Sequence, residues 1–403
     1  MKYMLIILSA LTLVSCNKDY SKKMQHGKWL GQMQVSADEK LPFNFEVTSD
    51  RSLKIINAEE VILVDDITYK NDSIFIKMPV FEGYFAVKLT EEGVSGHFIN
   101  KSMDINIPFK AIYNSKARFE TKQAAKTDIT GNWEVVFSPD SHEDIYFAKG
   151  IFQQKGQQVT GTFRTKIGDY RYLEGVVDGD TLKLSAFDGA HAFLFVATVK
   201  DSTLNGVFYS GNNWSEPFSA KRNDNFELPD ANALTSMADS YERLEFSFPN
   251  EAGQMVSLAD EKFQNKVVVV QLMGTWCPNC LDESTFFSEY TKINSEKDVE
   301  FVALAFENAK TDSLAFVGIK RLKDRLGIEY PVLLAQYGTS DKLEAQTRLP
   351  MLNEVLSYPT TIFVDKTGQV RKIHTGFNGP ATGEKYVAFK NEFRTFIDEL
   401  LAE

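Results

Sequence analysis

Cysteine and histidine are scarce in this sequence, with three and five among 403 residues. Two of the cysteines, Cys277 and Cys280, share one C-x-x-C and the third, Cys16, lies near the N-terminus, so nothing remains for a structural disulfide framework. A zinc site needs about four ligands. Two cysteines with scattered histidines, and no companion C-x-x-C or H-x-x-x-H, do not supply them, so no metal is expected, nor any cofactor. Cationic charge is also short: a net charge of −11 argues against nucleic acid or an anionic lipid surface as an electrostatic partner. Beyond Val14 no long apolar run occurs, and the body of the chain is expected to be soluble. A hydrophobic content of 43% over this length allows two or three domains.

What is present centres on 267–280, V-V-V-V-Q-L-M-G-T-W-C-P-N-C. The apolar run has the length of a strand buried on both faces, and Gly274-Thr275 turns the chain at its end. Leu281 to Ile293 mixes apolar and charged positions as a helix does. Both thiols therefore fall at a helix N-terminus, with Pro278 near the first helical position, where its missing N–H costs nothing. Unpaired N–H groups and the positive end of the helix dipole favour thiolate over thiol at Cys277, whose ordinary pKa is about 8.5. The dipole supplies a shift of about one unit, and hydrogen bonds from the Cys280 thiol and nearby N–H groups must add the rest. Cys277 is assigned as the attacking nucleophile; Cys280, one turn later and facing inward, resolves the mixed disulfide.

Here the chain resembles the thioredoxin fold, and more closely the TlpA-type, thioredoxin-like disulfide oxidoreductases on the extracytoplasmic side of bacterial membranes. The resemblance covers about residues 244–403. Besides W-C-P-N-C it rests on Ser357-Tyr358-Pro359-Thr360-Thr361, which leads into Ile362-Phe363-Val364-Asp365 and looks like the family's cis-proline loop and following strand. It implies that Pro359 lies against the dithiol, that the Tyr358 backbone pairs with an extended substrate segment, and that Trp276, Tyr358 and Pro359 form the substrate-binding surface. Lys366-Thr367-Gly368-Gln369 reads as a hairpin turn, and Gly376-Phe377-Asn378-Gly379 as another loop near the site. Gln271 stands where ordinary thioredoxins carry a buried aspartate. Glu283 matches the buried glutamate of the TlpA-type proteins, which would take the proton of Cys280; the alternative is a first-turn acid complementing the helix dipole. His374, on the return strand, is left out of the site.

At the N-terminus, Lys2 and the apolar Met4 to Val14 form a targeting segment, too short for a spanning helix of about 20 residues. Leu13-Val14-Ser15-Cys16 resembles the bacterial lipoprotein box, which implies cleavage before Cys16 and acylation of the new N-terminus. The alternative is a conventional signal peptide. Residues 1–16 are thus read as a lipoprotein signal peptide and 17–25 as a tether to a bacterial membrane, on its periplasmic or cell-surface face.

Residues 26–115 and 130–222 carry short alternating runs separated by Asp, Asn and Gly turns, the pattern of antiparallel β domains. Gly27-Lys28-Trp29 corresponds to Gly131-Asn132-Trp133, Phe81-Glu82-Gly83 to Phe187-Asp188-Gly189, Gly96-His97-Phe98 to Gly206-Val207-Phe208, and Pro108-Phe109-Lys110-Ala111 to Pro217-Phe218-Ser219-Ala220. Four matches in the same order predict two copies of one module, barrel-like or sandwich. The G-x-W triplets resemble those of lipocalin-like barrels, with Trp29 and Trp133 as core residues. Trp214, in a turn-like stretch, is expected in a packed loop; the alternative is exposure for recognition.

Residues 223–243 read as a linker with a short amphipathic helix around 233–243. The 244–403 domain is expected as an α/β thioredoxin-like unit, a central mixed sheet flanked by helices. Its strands fall at 266–272, 299–306, 331–334, 360–365 and 370–375, and its helices at 278–293, 312–326 and 384–401, with a partly helical insert at 340–355. Three functions fit: an anchored thiol–disulfide oxidoreductase, a binding or sensor protein using the β modules, and a thiol peroxidase. No Pro-x-x-x-Thr-x-x-Cys surrounds either thiol, which counts against the third. For the first, the partners are protein disulfide or dithiol clients, an upstream electron donor, and the lipid bilayer through acylated Cys16.

Overall fold

The computed structural model describes residues 23–115 and 117–403; the targeting segment, Cys16 and residues 17–22 of the tether lie outside the described residues. Nine antiparallel strands from Gly27–Gln34 to Ile105–Tyr113 form the first β unit. They meander, the first strand pairs with the last, and the sheet breaks between Glu60–Val64 and Asp66–Lys70, which are its two edges. The second unit closes fully. Strand Gly131–Phe137 pairs with Trp214–Arg222, and Tyr146–Lys155 pairs with Gln158–Thr165, so no edge is left in the ring. A two-residue strand, Gly168–Asp169, folds back on Gln158–Thr165 outside this closure.

The repeat is visible in side-chain detail. Trp29 Nε1 donates to the Gln25 carbonyl and Trp133 Nε1 to the Ile129 carbonyl, each at 2.9 Å and each four residues back. Both indoles are buried as expected. The second barrel is filled with rings: Phe163 packs on Phe195 at 4.6 Å between centroids, and Phe195 on Phe208 at 4.4 Å. Its interior is therefore a packed core. Trp214 departs from expectation. It begins the strand Trp214–Arg222 at a hairpin with Ser210 and is 53% exposed, because the turn carries it past the barrel rim.

The expected helix at 233–243 does not form. Only Ala231–Ala233 makes a 3₁₀ turn, and the following backbone bonds elsewhere: Ala238 N–H donates to Met351 O and Asn353 N–H to Ser236 O, both at 2.9 Å. Pairing with 351–353 uses the groups an α-helix would have bonded internally.

The C-terminal region is a five-stranded sheet in the order Val332–Gln336, Val299–Phe306, Val267–Met273, Thr360–Val364, Val370–Thr375. The first three strands are parallel and the last two antiparallel. Val267–Met273 is central and every residue in it is buried, which accounts for its unbroken apolar character. Helices Pro278–Ile293, Asp312–Leu326 and Glu384–Ala402 cover the sheet, and Lys342–Arg348 forms the helical part of the insert. This is the α/β thioredoxin-like arrangement. Thr311 caps Asp312–Leu326 at its start, and Gly327, at φ 62°, ends it in the left-handed conformation.

Candidate active site

The dithiol sits where the central strand gives way to its helix. Cys277 is the N-cap of Pro278–Ile293, Pro278 takes the first helical position, and the Cys280 N–H points at Cys277 Sγ from 3.2 Å. A sulfur thus fills the place where a Ser or Asp oxygen ordinarily accepts the orphan N–H of a helix start. The two cysteines are joined in a disulfide, with Cα atoms 5.2 Å apart. Cys277 retains 6% exposure and Cys280 has none. Attack from outside can reach only the first.

The approach to the helix is held from the neighbouring strand. Trp276 Nε1 donates to Phe306 O at 2.9 Å, while Thr275 donates through its N–H (2.8 Å) and its hydroxyl (2.7 Å) to Glu307. Glu307 is buried, and burial pushes its carboxyl up to about 7 against the pull of the two Thr275 bonds. Sequence reasoning missed this acid. The signal was there: a carboxylate directly after the apolar strand F-V-A-L-A-F, at the sheet end where the dithiol lies.

Glu283 follows Cys280 by three positions on the same helix, so both face inward. It is fully buried. Thr361 Oγ1 donates to it at 2.7 Å and Gln271 Nε2 at 2.8 Å, and Gln271 Oε1 in turn accepts from Ser284 Oγ at 3.0 Å. Burial dominates and raises the Glu283 carboxyl to about 7, with the bonds from Thr361 and Gln271 opposing. Gln271, in the place of an acid, therefore serves as a donor to the acid across the core.

The Tyr358–Pro359 peptide bond is cis. The Tyr358 carbonyl lies 3.6 Å from Cys277 Sγ, and the Tyr358 ring meets Trp276 edge-on at 5.9 Å. Trp276, Cys277, Tyr358 and Pro359 are thus brought together, with Cys280 and Glu283 behind them. Phe377 is fully buried in the core against Phe389, whereas Asn378 bonds to Arg164 of the second barrel. His374 meets Asn232 at 3.0 Å and is absent from the residues lining the groove at Cys277.

The seating of that second barrel against the site is what the sequence did not foretell. Its hairpin around Lys166-Ile167 lies against the site. Ser357 Oγ donates to Ile167 O at 3.3 Å, Gly379 N–H donates to the Asp169 carboxylate at 2.6 Å, and Arg164 Nε donates to Asn378 Oδ1 at 2.9 Å. Gly376 must be glycine here, because a Cβ would stand 2.6 Å from the Ile167 backbone at a φ of 79°. Oriented so that both of its ends are satisfied, the Asn279 amide accepts from the Asp169 N–H (3.0 Å) and donates to its carbonyl (3.3 Å). Arg171 closes the joint. It donates to Pro278 O at 3.1 Å, pairs with Asp282 at 2.5 Å and with Asp188 at 3.8 Å, and also pairs with Glu60 of the first β unit. Burial disfavours its charge, but those three carboxylates outweigh burial and hold it well above the ordinary arginine value.

Comparison with known proteins agrees with this geometry. Residues 229–388 match the Redoxin family model. This stretch is a redoxin domain. Among curated proteins, the thiol-disulfide oxidoreductase ResA of Geobacillus thermodenitrificans is 26% identical over 114 residues, 28% of this chain and 57% of that protein. The thioredoxin-like protein YneN of Bacillus subtilis is 26% identical over 132 residues, 33% of this chain and 68% of that protein. The chain thus spans little more than half the length of the ResA relative. A solved structure of a putative thiol:disulfide interchange protein DsbE from Chlorobium tepidum superposes with a TM-score of 0.30 at 17% identity, covering 40% of this chain and 99% of that one. The family match and the two curated relatives are consistent with the TlpA-type resemblance of the redoxin domain.

Proposed function

We propose that the protein is a thiol–disulfide oxidoreductase that reduces disulfides in client proteins through Cys277 and Cys280. The observation that carries this reading is the N-cap sulfur: Cys277 Sγ receives the Cys280 N–H at the positive end of a helix, beside the Tyr358 carbonyl. In the reduced protein the Cys277 thiolate attacks a client disulfide, forms a mixed disulfide and releases the other client sulfur, which takes up a proton. Cys280 gives its proton to Glu283 and attacks Cys277 Sγ. The client leaves with two electrons gained, and the domain returns to the disulfide form. Trp276, Tyr358 and Pro359 form the surface against which the client docks. An upstream dithiol donor restores the reduced form.

The reductive direction is supported by the TlpA-type resemblance. A reduction potential near −120 mV, the oxidising end of the range known for this fold, would reverse it. Location outside the cytoplasm, with a lipid anchor at Cys16, belongs to the same proposal and is supported by Lys2, the apolar Met4 to Val14 and the Leu13-Val14-Ser15-Cys16 box. So does the division into 17–25, 26–115, 130–222, 223–243 and 244–403. Among the described residues no helix is long and apolar enough to cross a membrane. The test is insulin reduction by the pre-reduced full chain. Wild type should precipitate the insulin B chain, Cys277→Ser should not, and Cys280→Ser should stall as a mixed disulfide. Peroxide consumption without insulin reduction would instead favour a thiol peroxidase.

A further inference from the structure

Between the dithiol and the second barrel lies a groove of about 590 Å³. Trp276, Cys277 and Tyr358 form one wall, and the barrel contributes Ile145, Phe147 and Phe193 to the other. Cys280 does not line it. Volumes of roughly 300–1,000 Å³ suit a few side chains, not a folded surface.

Two of the barrel residues are oddly placed for a soluble module. Ile145 is 41% exposed and Phe147 50% exposed, neither belongs to the barrel core, and both stand at the groove's lip. Their position is fixed from inside. Along the strand Tyr146–Lys155 alternate residues face opposite ways, and Tyr146 points inward, where its hydroxyl meets Tyr170 OH at 2.7 Å and donates to Glu216 at 2.9 Å. Glu216 also accepts from Ser138 Oγ at 2.6 Å. A partly buried network of this kind pins the register, and pinning Tyr146 inward turns Phe147 outward. The neighbouring hairpin meanwhile covers the dithiol on the side of Asn279 and Ser357. An apolar lip is left facing the one sulfur that solvent reaches.

We propose that this groove is a client-binding site built jointly by the second β barrel and the redoxin domain, and that it selects protein segments in which the reactive cysteine is flanked by an aromatic or large aliphatic side chain. This rests on the oxidoreductase reading above and names its substrate class. The flanking side chain settles between Phe147 and Trp276, which removes apolar surface on both walls from water and brings the client sulfur to Cys277. The occupant is a short client segment because the groove is continuous with the attacking sulfur and has room for a few side chains only.

The experiment uses the full chain, pre-reduced and freed of reductant, with oxidation of the dithiol followed as the loss of free thiol in quenched samples. Two peptide disulfides of equal length and charge are compared, one with Phe and one with Ser beside the cysteine, alongside bis-hydroxyethyl disulfide as a minimal substrate. The wild-type protein should oxidise faster with the Phe peptide by about tenfold or more in second-order rate, the scale at which apolar pockets discriminate. In an Ile145→Ser/Phe147→Ser double variant that ratio should fall towards one. Equal wild-type rates for the two peptides overturn the inference without any variant, as does a ratio unchanged in a folded double variant. Failure of the wild type to react with all three disulfides would instead overturn the oxidoreductase reading, so the two failures are distinct.

Discussion

Asn279, the residue directly before Cys280, is hydrogen-bonded through its side chain to both backbone groups of Asp169, at 3.0 and 3.3 Å. The variable pair inside the C-x-x-C, which in an isolated domain would face solvent, is here a docking contact for a hairpin of the second barrel. The dithiol and the barrel are therefore one mechanical unit, and changes in either are expected to register in the other.

Replacing Asn279 by Ala removes both bonds and leaves the Asp169 N–H and carbonyl unpaired at the interface. Each such group costs about 1–3 kcal/mol. The variant should unfold at lower denaturant than wild type, and limited proteolysis should find the 164–171 hairpin cut sooner. Unchanged cleavage there would show that the hairpin is held without Asn279.

Arg171 holds three carboxylates from three parts of the chain: Glu60, Asp188 and Asp282. Removing the cation leaves these buried acids facing one another, which costs roughly 3–5 kcal/mol when one partner of a buried pair is deleted. Arg171→Met should therefore be strongly destabilised in equilibrium unfolding, more so at neutral pH than at pH 5. Asp282, already raised to about 7 by burial, takes up its proton at the lower pH. Adding Asp282→Asn should restore part of the loss.

Glu283 provides a pH signature with a defined sign. Its folded pKa of about 7 lies above the ordinary value of 4.5, so between those values the folded state binds more protons than the unfolded chain. Its contribution is full below about 4.5 and falls away as pH rises through 7, by roughly 3 kcal/mol at one pKa unit per 1.36 kcal/mol. Glu283→Gln should thus gain stability relative to wild type as pH rises across this window, in urea unfolding at pH 5 and pH 8. In catalysis the same substitution should slow resolution of the mixed disulfide by 10²–10⁴-fold and abolish its rise with pH through about 7. A wild-type rate at all pH values would reduce Glu283 to a packed helix acid.

Thr275→Val should loosen the approach to the helix from the other side. It removes one of two bonds to Glu307 and leaves that buried carboxylate less satisfied, a loss of about 1.5–3 kcal/mol for a bond to a charged group. Calorimetry at pH 8, where Glu307 is ionised, should show a larger drop in Tm than at pH 5.

How much of this could be read in the sequence depended on whether the cause was local. The Asp312–Leu326 helix carries its own start and stop signals at Thr311 and Gly327, and the central strand announces itself by four consecutive valines, so both were legible. The pair of thiols at a helix start was legible for the same reason. The 233–243 segment was not, because its backbone is claimed by 351–353, more than a hundred residues on. Nor was Asp169 beside the dithiol. Nothing in I-G-D-Y-R distinguishes a barrel hairpin exposed to water from one seated beside Asn279, and only the packing of the second barrel onto the redoxin domain brings them together. Trp214 is a different case: a tryptophan after Gly-Asn-Asn reads as part of a packed loop or as an exposed turn residue, and the structure has the second.

The most direct test of the account is the ionisation of Cys277 in the reduced protein, measured as the rate of alkylation by iodoacetamide against pH. With Cys280 buried, the labelled residue is identified as Cys277 by mass spectrometry. The account predicts that alkylation rises with a midpoint well below the ordinary cysteine value of about 8.5, and that the midpoint moves up when Pro278→Gly loosens the helix start. A midpoint at or above 8.5 in the wild-type protein would contradict it.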